Sequence, residues 1–232
     1  MFRESATWYD RFYADKDYAG EARRIIEIIR EHAPRARTLL DVACGTGLHL
    51  EHLHGAFECQ GLDLDDGLLD VARRRLPAVR FTRGDMTDFD LGRRFEAVTC
   101  LFSSIGYADD VAKLNAAFQA MARHLDPGGV LVVEPWILLE AWDEDRHHAQ
   151  VVEDDDATLV RVLTSRRIGS ATDLFMHYAV ARNGHITTAD ETHRLRLFTR
   201  EEYLDAATAA GLTPTWDSDG LTGRGLLTGI RV

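Results

Sequence analysis

Two hydrophobic periodicities alternate along the first 136 residues. Within 19–31, apolar residues recur three and four positions apart, so Ala22, Ile25 and Ile29 would share one helix face. Five short, mostly apolar runs follow, at 38–42, 60–64, 79–82, 95–102 and 130–134. Helical segments separate them, at 48–53, 67–76 and 110–125. Continuous apolar runs are typical of strands buried on both faces. Their alternation with helices predicts an α/β fold with a Rossmann-like, doubly wound, mostly parallel sheet.

After the fifth strand the pattern changes to short alternating stretches rich in β-branched residues. They cover 157–166, 173–182 and 192–198, and Asn183-Gly184 between two of them is a strong hairpin signal. We therefore expect an antiparallel three-strand insert. Thr199 and Glu202 have the spacing of a capping box, which predicts the start of a helix, and a last strand is expected at 225–232. The expected organisation is a core of 1–136 and 199–232 with an insert at 137–198.

Charge and cysteine content narrow the function classes. Lys and Arg total 27 against 38 Asp and Glu, so the net charge is −11 in 232 residues. An acidic chain without a Lys/Arg run is a poor ligand for nucleic acid or for an anionic membrane. No apolar run reaches the ~20 residues of a membrane span, and residues 1–5 do not lead into a signal peptide. The three cysteines form no CxxC pair and fit reduced thiols, so we expect a cytoplasmic protein.

The strongest chemical feature is a glycine turn at 41–47, between the first strand and the next helix. Gly45 and Gly47 let the turn approach a ligand closely, and the helix N-terminus beyond them suits a carboxylate or phosphate. A tight turn without a ligand is the alternative. Leu50 stands where the third glycine of a dinucleotide-binding turn would be, so G-x-G-x-x-G is not met.

Three further features follow successive strands. Asp63 ends the second strand, where a carboxylate can accept hydrogen bonds from a ribose diol. Asp85, just after the third strand, can accept from an adenine amine, and residues 102–107 after the fourth strand offer small hydroxyl side chains. Taken singly, Asp63 could be a solvated charge and Asp85 a turn cap. Strand ends of a doubly wound sheet meet in one crevice, so the four features together predict a ligand site.

This combination resembles the class I S-adenosylmethionine-dependent methyltransferases over nearly the whole chain. A narrower resemblance is to the N,N-dimethyltransferases that act on nucleotide-linked amino sugars in macrolide biosynthesis. It is carried by YDRFY (9–13), KDY (16–18), LDVACGTG (40–47), GDMTDF (84–89), FSSIG (102–106), VEPW (133–136) and GRGL (223–226). The resemblance implies an enzyme that transfers a methyl group from S-adenosylmethionine to an amine, with the insert as a substrate cover.

The resemblance and the strand-end pattern together give a set of candidate site residues. The cofactor set is Tyr13, Ala43, Gly45, Thr46, Gly47, Asp63, Leu64, Asp85, Met86 and Phe102. The acceptor set is Ser103, Tyr107, Trp136, Arg161, His177 and Arg224. Tyr13 is the catalytic candidate and would orient the methyl group or the amine. Arg161 and Arg224 suit a diphosphate because a guanidinium fork matches phosphate oxygens, although either could form a surface ion pair.

Several alternatives stay open at this point. The acceptor could be a different small molecule, methylated on nitrogen or oxygen. The chain could also be a nucleotide-binding α/β module that uses NAD, or a catalytically silent partner protein with this fold. No metal site is expected, and His49, His52 and His54 are interpreted as surface or cap residues. A homodimer is compatible with the sequence, which leaves the oligomeric state and the number of methyl transfers open.

Overall fold

A computed structural model describes residues 8–143 and 146–232; the N-terminal residues 1–5 considered above lie outside it. Its larger sheet has seven strands in the order β10-β11-β5-β4-β1-β2-β3, numbered along the chain. Their bounds are β1 Thr38–Val42, β2 Glu58–Asp63, β3 Arg80–Arg83, β4 Phe95–Cys100, β5 Leu125–Val133, β10 Leu212–Asp217 and β11 Leu226–Arg231. The strands β1 to β5 are parallel, and β11 runs antiparallel to both of its neighbours. The predicted mostly parallel, doubly wound sheet is confirmed.

Helices cover both faces of this sheet, and adjacent strand residues enter opposite core layers. The helices are α1 Tyr9–Phe12, α2 Tyr18–His32, α3 Leu48–Leu53, α4 Asp66–Arg75, α5 Val111–Arg123 and α6 Arg200–Ala209. Leu39 and Val132 belong to the layer with α2 and α3, whereas Leu40 and Val133 belong to the layer with α5 and α6. This alternation explains why the sequence shows continuous apolar runs there rather than alternating ones.

The insert forms a separate antiparallel sheet of four strands, not the three expected. They are β6 His147–Glu153, β7 Thr158–Ile168, β8 Ala171–Arg182 and β9 His185–Arg196, in that order across the sheet. The missed strand, β6, lies at the sheet edge and is mostly exposed, so its sequence carries little apolar alternation. The hairpin prediction is confirmed, since Asn183 and Gly184 join β8 to β9 with φ of +52° and +74°.

The strand β10 was also missed by sequence analysis. It contains Pro214, and a proline argues against a central strand because it cannot donate to the ladder. The structure places β10 at the edge of the sheet, paired only with β11 among the strands it describes. A proline is tolerated at such an edge.

Two contacts bind the N-terminal helix α1 to the insert sheet. The Arg11 guanidinium lies 3.2 Å from Asp154, and the Gln150 side chain donates to the Phe12 carbonyl at 2.8 Å. The chain before α2 therefore lies between the two sheets, at the carboxyl ends of the parallel strands. Within residues 8–143 and 146–232, no helix combines the length and apolar character needed to cross a bilayer.

Candidate active site

A cavity of about 860 Å³ lies between the carboxyl ends of the parallel strands and the inner face of the insert. All of the candidate site residues from the sequence line it except Gly47 and His177. The crevice expected from successive strand ends is therefore present, and the insert sheet extends it into a second half. Lining residues that sequence analysis did not assign to the site include Lys16, Glu21, Asp41, His49 and His193.

The glycine turn gives the cavity its floor. Gly45 has φ of +56°, a conformation that favours glycine, and its backbone N–H donates to Asp63 Oδ2 at 2.8 Å. Gly47, with φ of +80°, precedes α3 and faces the protein interior, where an added Cβ would lie 3.4 Å from the Ala72 Cβ. Gly47 thus shapes the turn rather than lining the cavity.

Two carboxylates stand at neighbouring strand ends with free acceptor capacity. Asp63 is buried, and each of its oxygens accepts one backbone N–H, from Gly45 at 2.8 Å and Asp65 at 2.9 Å. Burial raises the pKa of Asp63 despite these hydrogen bonds. Asp85 Oδ1 accepts from the Thr87 N–H and hydroxyl, and Asp85 Oδ2 has no partner within the described ranges. These acceptors fit the ribose hydroxyls and the adenine amine of an adenosine.

A buried polar cluster flanks the same end of the cavity. The Lys16 ammonium contacts Glu21, whose other oxygen lies 2.8 Å from His49 Nε2. Burial opposes ionisation of Glu21, but the hydrogen bonds from His49 and Lys16 prevail and lower its pKa. His49 is only 7% exposed, so its interpretation as a surface or cap residue was wrong. His49 is buried because α2 packs against α3 and covers the side of α3 that carries His49.

The loop after β4 has an unusual backbone conformation. Phe102 and Ser103 have φ of +50° and +67°, which costs energy in non-glycine residues. The fully buried Glu134 holds the loop, because its Oε2 accepts from the Phe102 N–H at 2.7 Å and its Oε1 accepts from the Thr222 hydroxyl at 2.7 Å. Ser103 donates to the Pro135 carbonyl at 3.1 Å. The end of β5 therefore fixes the middle of the cavity wall.

Tyr13 lies where the two halves of the cavity meet. Its ring packs edge-on against Phe102, with centroids 5.0 Å apart. Arg161 on β7 donates to the Tyr13 hydroxyl at 3.1 Å and to Gln150 Oε1 at 2.9 Å, and its guanidinium lies 5.0 Å from the Tyr13 ring centroid. Both terminal nitrogens of Arg161 are thus engaged in holding the chain around Tyr13.

Arg224 also lines the cavity, in a different setting from Arg161. Arg224 donates to Ser103 Oγ at 2.7 Å, and its guanidinium lies 5.1 Å from the Trp136 ring centroid. The Trp136 indole N–H is buried without a hydrogen-bond partner among the described residues. Tyr107, on a short 3-10 helix at Ser104–Tyr107, reaches His193 Nδ1 at 2.9 Å. His193 sits in the alternating stretch at 192–198, but its side-chain direction could not be read from that pattern.

His177 lies outside the cavity. On β8 the neighbouring Met176 and Tyr178 face the cavity, so His177 points to the outer face, where it pairs with Asp190 at 2.7 Å. Alternation along the strand explains this placement. Among the described residues, no group of three or more His, Cys, Asp or Glu is arranged to hold a metal ion.

Comparison with known proteins identifies the family. Residues 39–129 match the family model described as a methyltransferase domain. The dTDP-3-amino-3,6-dideoxy-alpha-D-glucopyranose N,N-dimethyltransferase of Streptomyces fradiae is 47% identical over 98% of this chain and 91% of its own length. The chain belongs to the nucleotide-linked amino sugar N,N-dimethyltransferases, a family of class I S-adenosylmethionine-dependent methyltransferases.

Two solved structures match this amino sugar N,N-dimethyltransferase over nearly its whole length. DesVI of Streptomyces venezuelae superposes with a TM-score of 0.94 at 44% identity, covering 99% of both chains. CalS10, an amino pentose methyltransferase from Micromonospora echinaspora involved in calicheamicin biosynthesis and solved with S-adenosylmethionine bound, gives 0.88 at 39% identity, covering 100% of this chain and 98% of that one.

The family model covers only part of the cavity of this amino sugar N,N-dimethyltransferase, whereas the amino sugar relatives cover nearly the whole chain. The general methyltransferase domain, 39–129, contains the glycine turn, Asp63, Asp85 and the loop after β4. Trp136, Arg161, His193 and Arg224 lie beyond it, in the part shared with the amino sugar relatives. Most of the strand-end half of the cavity thus lies within the general methyltransferase domain, and the half beside the insert lies beyond it.

Proposed function

We propose that this protein transfers methyl groups from S-adenosylmethionine to the amino group of a thymidine-diphosphate-linked amino sugar. The observation that carries the proposal is the composite cavity. Its strand-end half offers acceptors suited to an adenosine, and Arg224 and Trp136, which line the cavity beside the insert, offer donors suited to a diphosphate. The names of the relatives supply the nucleotide and the amino sugar as the acceptor class.

The cofactor would be held by the strand-end residues. Asp63 would accept from the ribose hydroxyls and Asp85 Oδ2 from the adenine amine. The walls around them would be formed by Tyr13, Ala43, Gly45, Thr46, Leu64, Met86 and Phe102. When bound, S-adenosylmethionine supplies an electrophilic methyl group on a sulfonium, so the protein mainly has to bind and orient the amine.

The acceptor's diphosphate would lie against Arg224 and Trp136. The Arg224 guanidinium and the unpartnered Trp136 indole N–H together offer donors to phosphate oxygens, and Ser103 fixes the arginine. Arg161, which sequence analysis grouped with the diphosphate ligands, is assigned a different role. Its fork is committed to Tyr13 and Gln150, so it would position Tyr13.

The insert at 137–198 would act as the substrate cover. Leu174, Met176 and Tyr178 line the cavity opposite the strand ends, and the Arg11 and Gln150 contacts connect the insert to the chain around Tyr13. Enclosure of this kind holds an amine beside the methyl group, and positioning alone can lower a barrier by ~7–11 kcal/mol.

A product assay tests the function. The protein is incubated with methyl-labelled S-adenosylmethionine and a panel of thymidine-diphosphate amino sugars, and the products are read by mass. The control sugar carries a hydroxyl in place of the amine. We expect a mass gain of one or two methyl groups on the amino sugars and none on the control. Methylation of the control, or no methylation of any amino sugar, contradicts the proposal.

A binding measurement separates the cofactor from NAD. S-adenosylhomocysteine at a hundredfold excess over its dissociation constant should stabilise the fold by ~2.7 kcal/mol. NAD at the same concentration should leave the melting temperature unchanged. Stabilisation by NAD alone would favour a nucleotide-binding module instead.

A further inference from the structure

We infer that Tyr107, His193 and Glu191 form a chain of hydrogen bonds that accepts the proton released by the substrate amine. The inference rests on the proposed function, since it concerns the fate of that amine's proton. The Tyr107 hydroxyl lies 2.9 Å from His193 Nδ1, and His193 Nε2 lies 3.3 Å from Glu191 Oε2. Tyr107 and His193 line the cavity, and Glu191 contacts the opposite side of the imidazole.

Burial and donor–acceptor chemistry give the chain a direction. The side chains of His193 and Glu191 are 1% and 7% exposed, so their hydrogen bonds are shielded from water. An ionised carboxylate only accepts, which places the proton of neutral His193 on Nε2 and leaves Nδ1 as an acceptor. Tyr107 then donates its proton to Nδ1, and its oxygen offers lone pairs to the cavity.

Packing holds Tyr107 in this orientation. The 3-10 helix that ends at Tyr107 packs closely under the insert: a Cβ added to Gly106 would lie 2.9 Å from the Trp136 Cβ and 3.1 Å from the Leu195 side chain. Burial, and then the nearby Tyr13 hydroxyl, raises the pKa of Tyr107. Tyr107 therefore passes a proton on as a neutral phenol and does not act as a phenolate.

Among the described residues of this hydrogen-bond chain, His193 carries the nitrogen lone pair that can take up a proton. The negative charges that Tyr13, Tyr178 on β8, Glu191 and Asp63 on β2 can carry act on Tyr107 and disfavour its ionisation. Arg161 on β7 is committed to Tyr13 and Gln150. On β8, the residue paired with His193 is the uncharged Leu174. Glu191 is the carboxylate in contact with His193, where it would stabilise an imidazolium.

The proton balance of the reaction gives this chain its task. The amine nitrogen uses its lone pair to form the new N–C bond, while the electron pair of the broken C–S bond stays on sulfur. The nitrogen becomes cationic and must lose one proton before a second methyl group can be added. That proton moves to the Tyr107 oxygen as the Tyr107 proton moves to His193 Nδ1. The imidazolium, paired with Glu191, releases its proton to water when the product leaves.

The decisive variant is His193→Asn, because an asparagine oxygen can still accept from Tyr107 but cannot take up the proton. At neutral pH we expect kcat to fall at least tenfold, with S-adenosylhomocysteine affinity unchanged. The rise of kcat with pH should move at least one pH unit higher, since the amine must then lose its proton to water. His185→Asn, at an exposed position of the same strand, should leave rate and profile unchanged. A lower rate on an unmoved pH profile would mean a structural role and overturn the inference.

A spectroscopic measurement is independent of turnover. In the S-adenosylhomocysteine complex, histidine-labelled protein should show His193 by NMR as the neutral Nε2–H tautomer at pH 8, becoming imidazolium on acidification. A His193 that keeps one protonation state from pH 5 to 9, or carries its proton on Nδ1, overturns the inference. If the wild-type protein yields no N-methylated product, the proposed function fails. The NMR result still decides whether the hydrogen-bond chain of Tyr107, His193 and Glu191 accepts a proton.

Discussion

Arg161 donates to the Tyr13 hydroxyl at 3.1 Å, across 148 positions of sequence. This contact connects the insert sheet to the short chain before α2, at the point where the two halves of the cavity meet. Because the Tyr13 oxygen accepts from Arg161, its own proton is available to a ligand in the cavity. The geometry favours an orienting group at Tyr13 over a general base.

Tyr13→Phe therefore tests the orienting role. The variant keeps the ring contact with Phe102 and loses one hydroxyl, so kcat should fall ~10-fold or less, the scale of one modest hydrogen bond. The measurement is kcat on the amine substrate across pH. A loss beyond a thousandfold with intact cofactor binding would show that Tyr13 itself is the base.

Arg161→Lys should be more damaging than its conservative chemistry suggests. A lysine ammonium cannot reach both Tyr13 and Gln150, and hydrogen bonds to charged groups are worth ~1.5–3 kcal/mol each. We expect kcat/KM to fall by about 10- to 100-fold. Val162→Thr, on the exposed outer face of the same strand, is the matched control and should retain full activity. If Arg161→Lys and Val162→Thr had the same kcat/KM, Arg161 would not position Tyr13.

Asp63→Ala should weaken cofactor binding selectively. The change removes the acceptor proposed for the ribose hydroxyls, so the affinity for S-adenosylhomocysteine should drop at least tenfold by calorimetry. Asp66→Asn, which alters an exposed carboxylate on α4, should bind normally. A thermal melt without ligand checks that Asp63→Ala is folded. Unchanged affinity in that folded variant would reject the ribose role.

Asp41 makes the stability of the protein depend on pH. Burial raises its pKa to about 6 from the usual 3.8, in spite of the nearby His49 and a 2.7 Å hydrogen bond from Thr99. The native state therefore binds this proton more tightly than the unfolded state does. The stabilisation is fully present below about pH 4 and is lost as the pH rises through about 6.

Asp41→Asn should remove that dependence, since an asparagine oxygen can still accept from Thr99. We expect the variant to be more stable than the wild type at pH 7 by ~2–3 kcal/mol, at about 1.4 kcal/mol per pH unit. The difference should vanish near pH 4. Denaturant unfolding at both pH values measures it, and an equal difference at pH 4 and 7 would contradict the assignment.

Strand ends explain why so much of the cavity could be predicted from the sequence. Gly45, Asp63, Asp85 and Phe102 each stand at or shortly after the end of a predicted strand, and parallel strands bring their carboxyl ends to one edge of a sheet. The parallel arrangement of the strands was therefore sufficient to predict that these residues lie together. The hairpin at Asn183-Gly184 could also be predicted from the sequence, because these two residues favour the positive φ values that its turn requires.

The errors arose where tertiary contacts, not local pattern, decide the outcome. His177 was assigned to the acceptor site, but the alternation of side chains along β8 points it outward. A strand with polar residues on both faces does not show from its sequence which face is turned inward. His49 was expected at the surface, yet α2 covers it and pairs it with Glu21. β6 and β10 are edge strands, whose exposed or proline-containing sequences resemble loops.

The sequence by itself determined the doubly wound sheet, the glycine turn and the strand-end half of the cavity, because these depend on hydrophobic period and on residues close to strand ends. Only the tertiary structure decided how the insert completes the other half of the cavity. The contacts of Arg161 with Tyr13 and of His193 with Tyr107 join segments 148 and 86 positions apart. Side-chain direction on a partly exposed antiparallel sheet follows from strand register, which is fixed when the insert packs against the core.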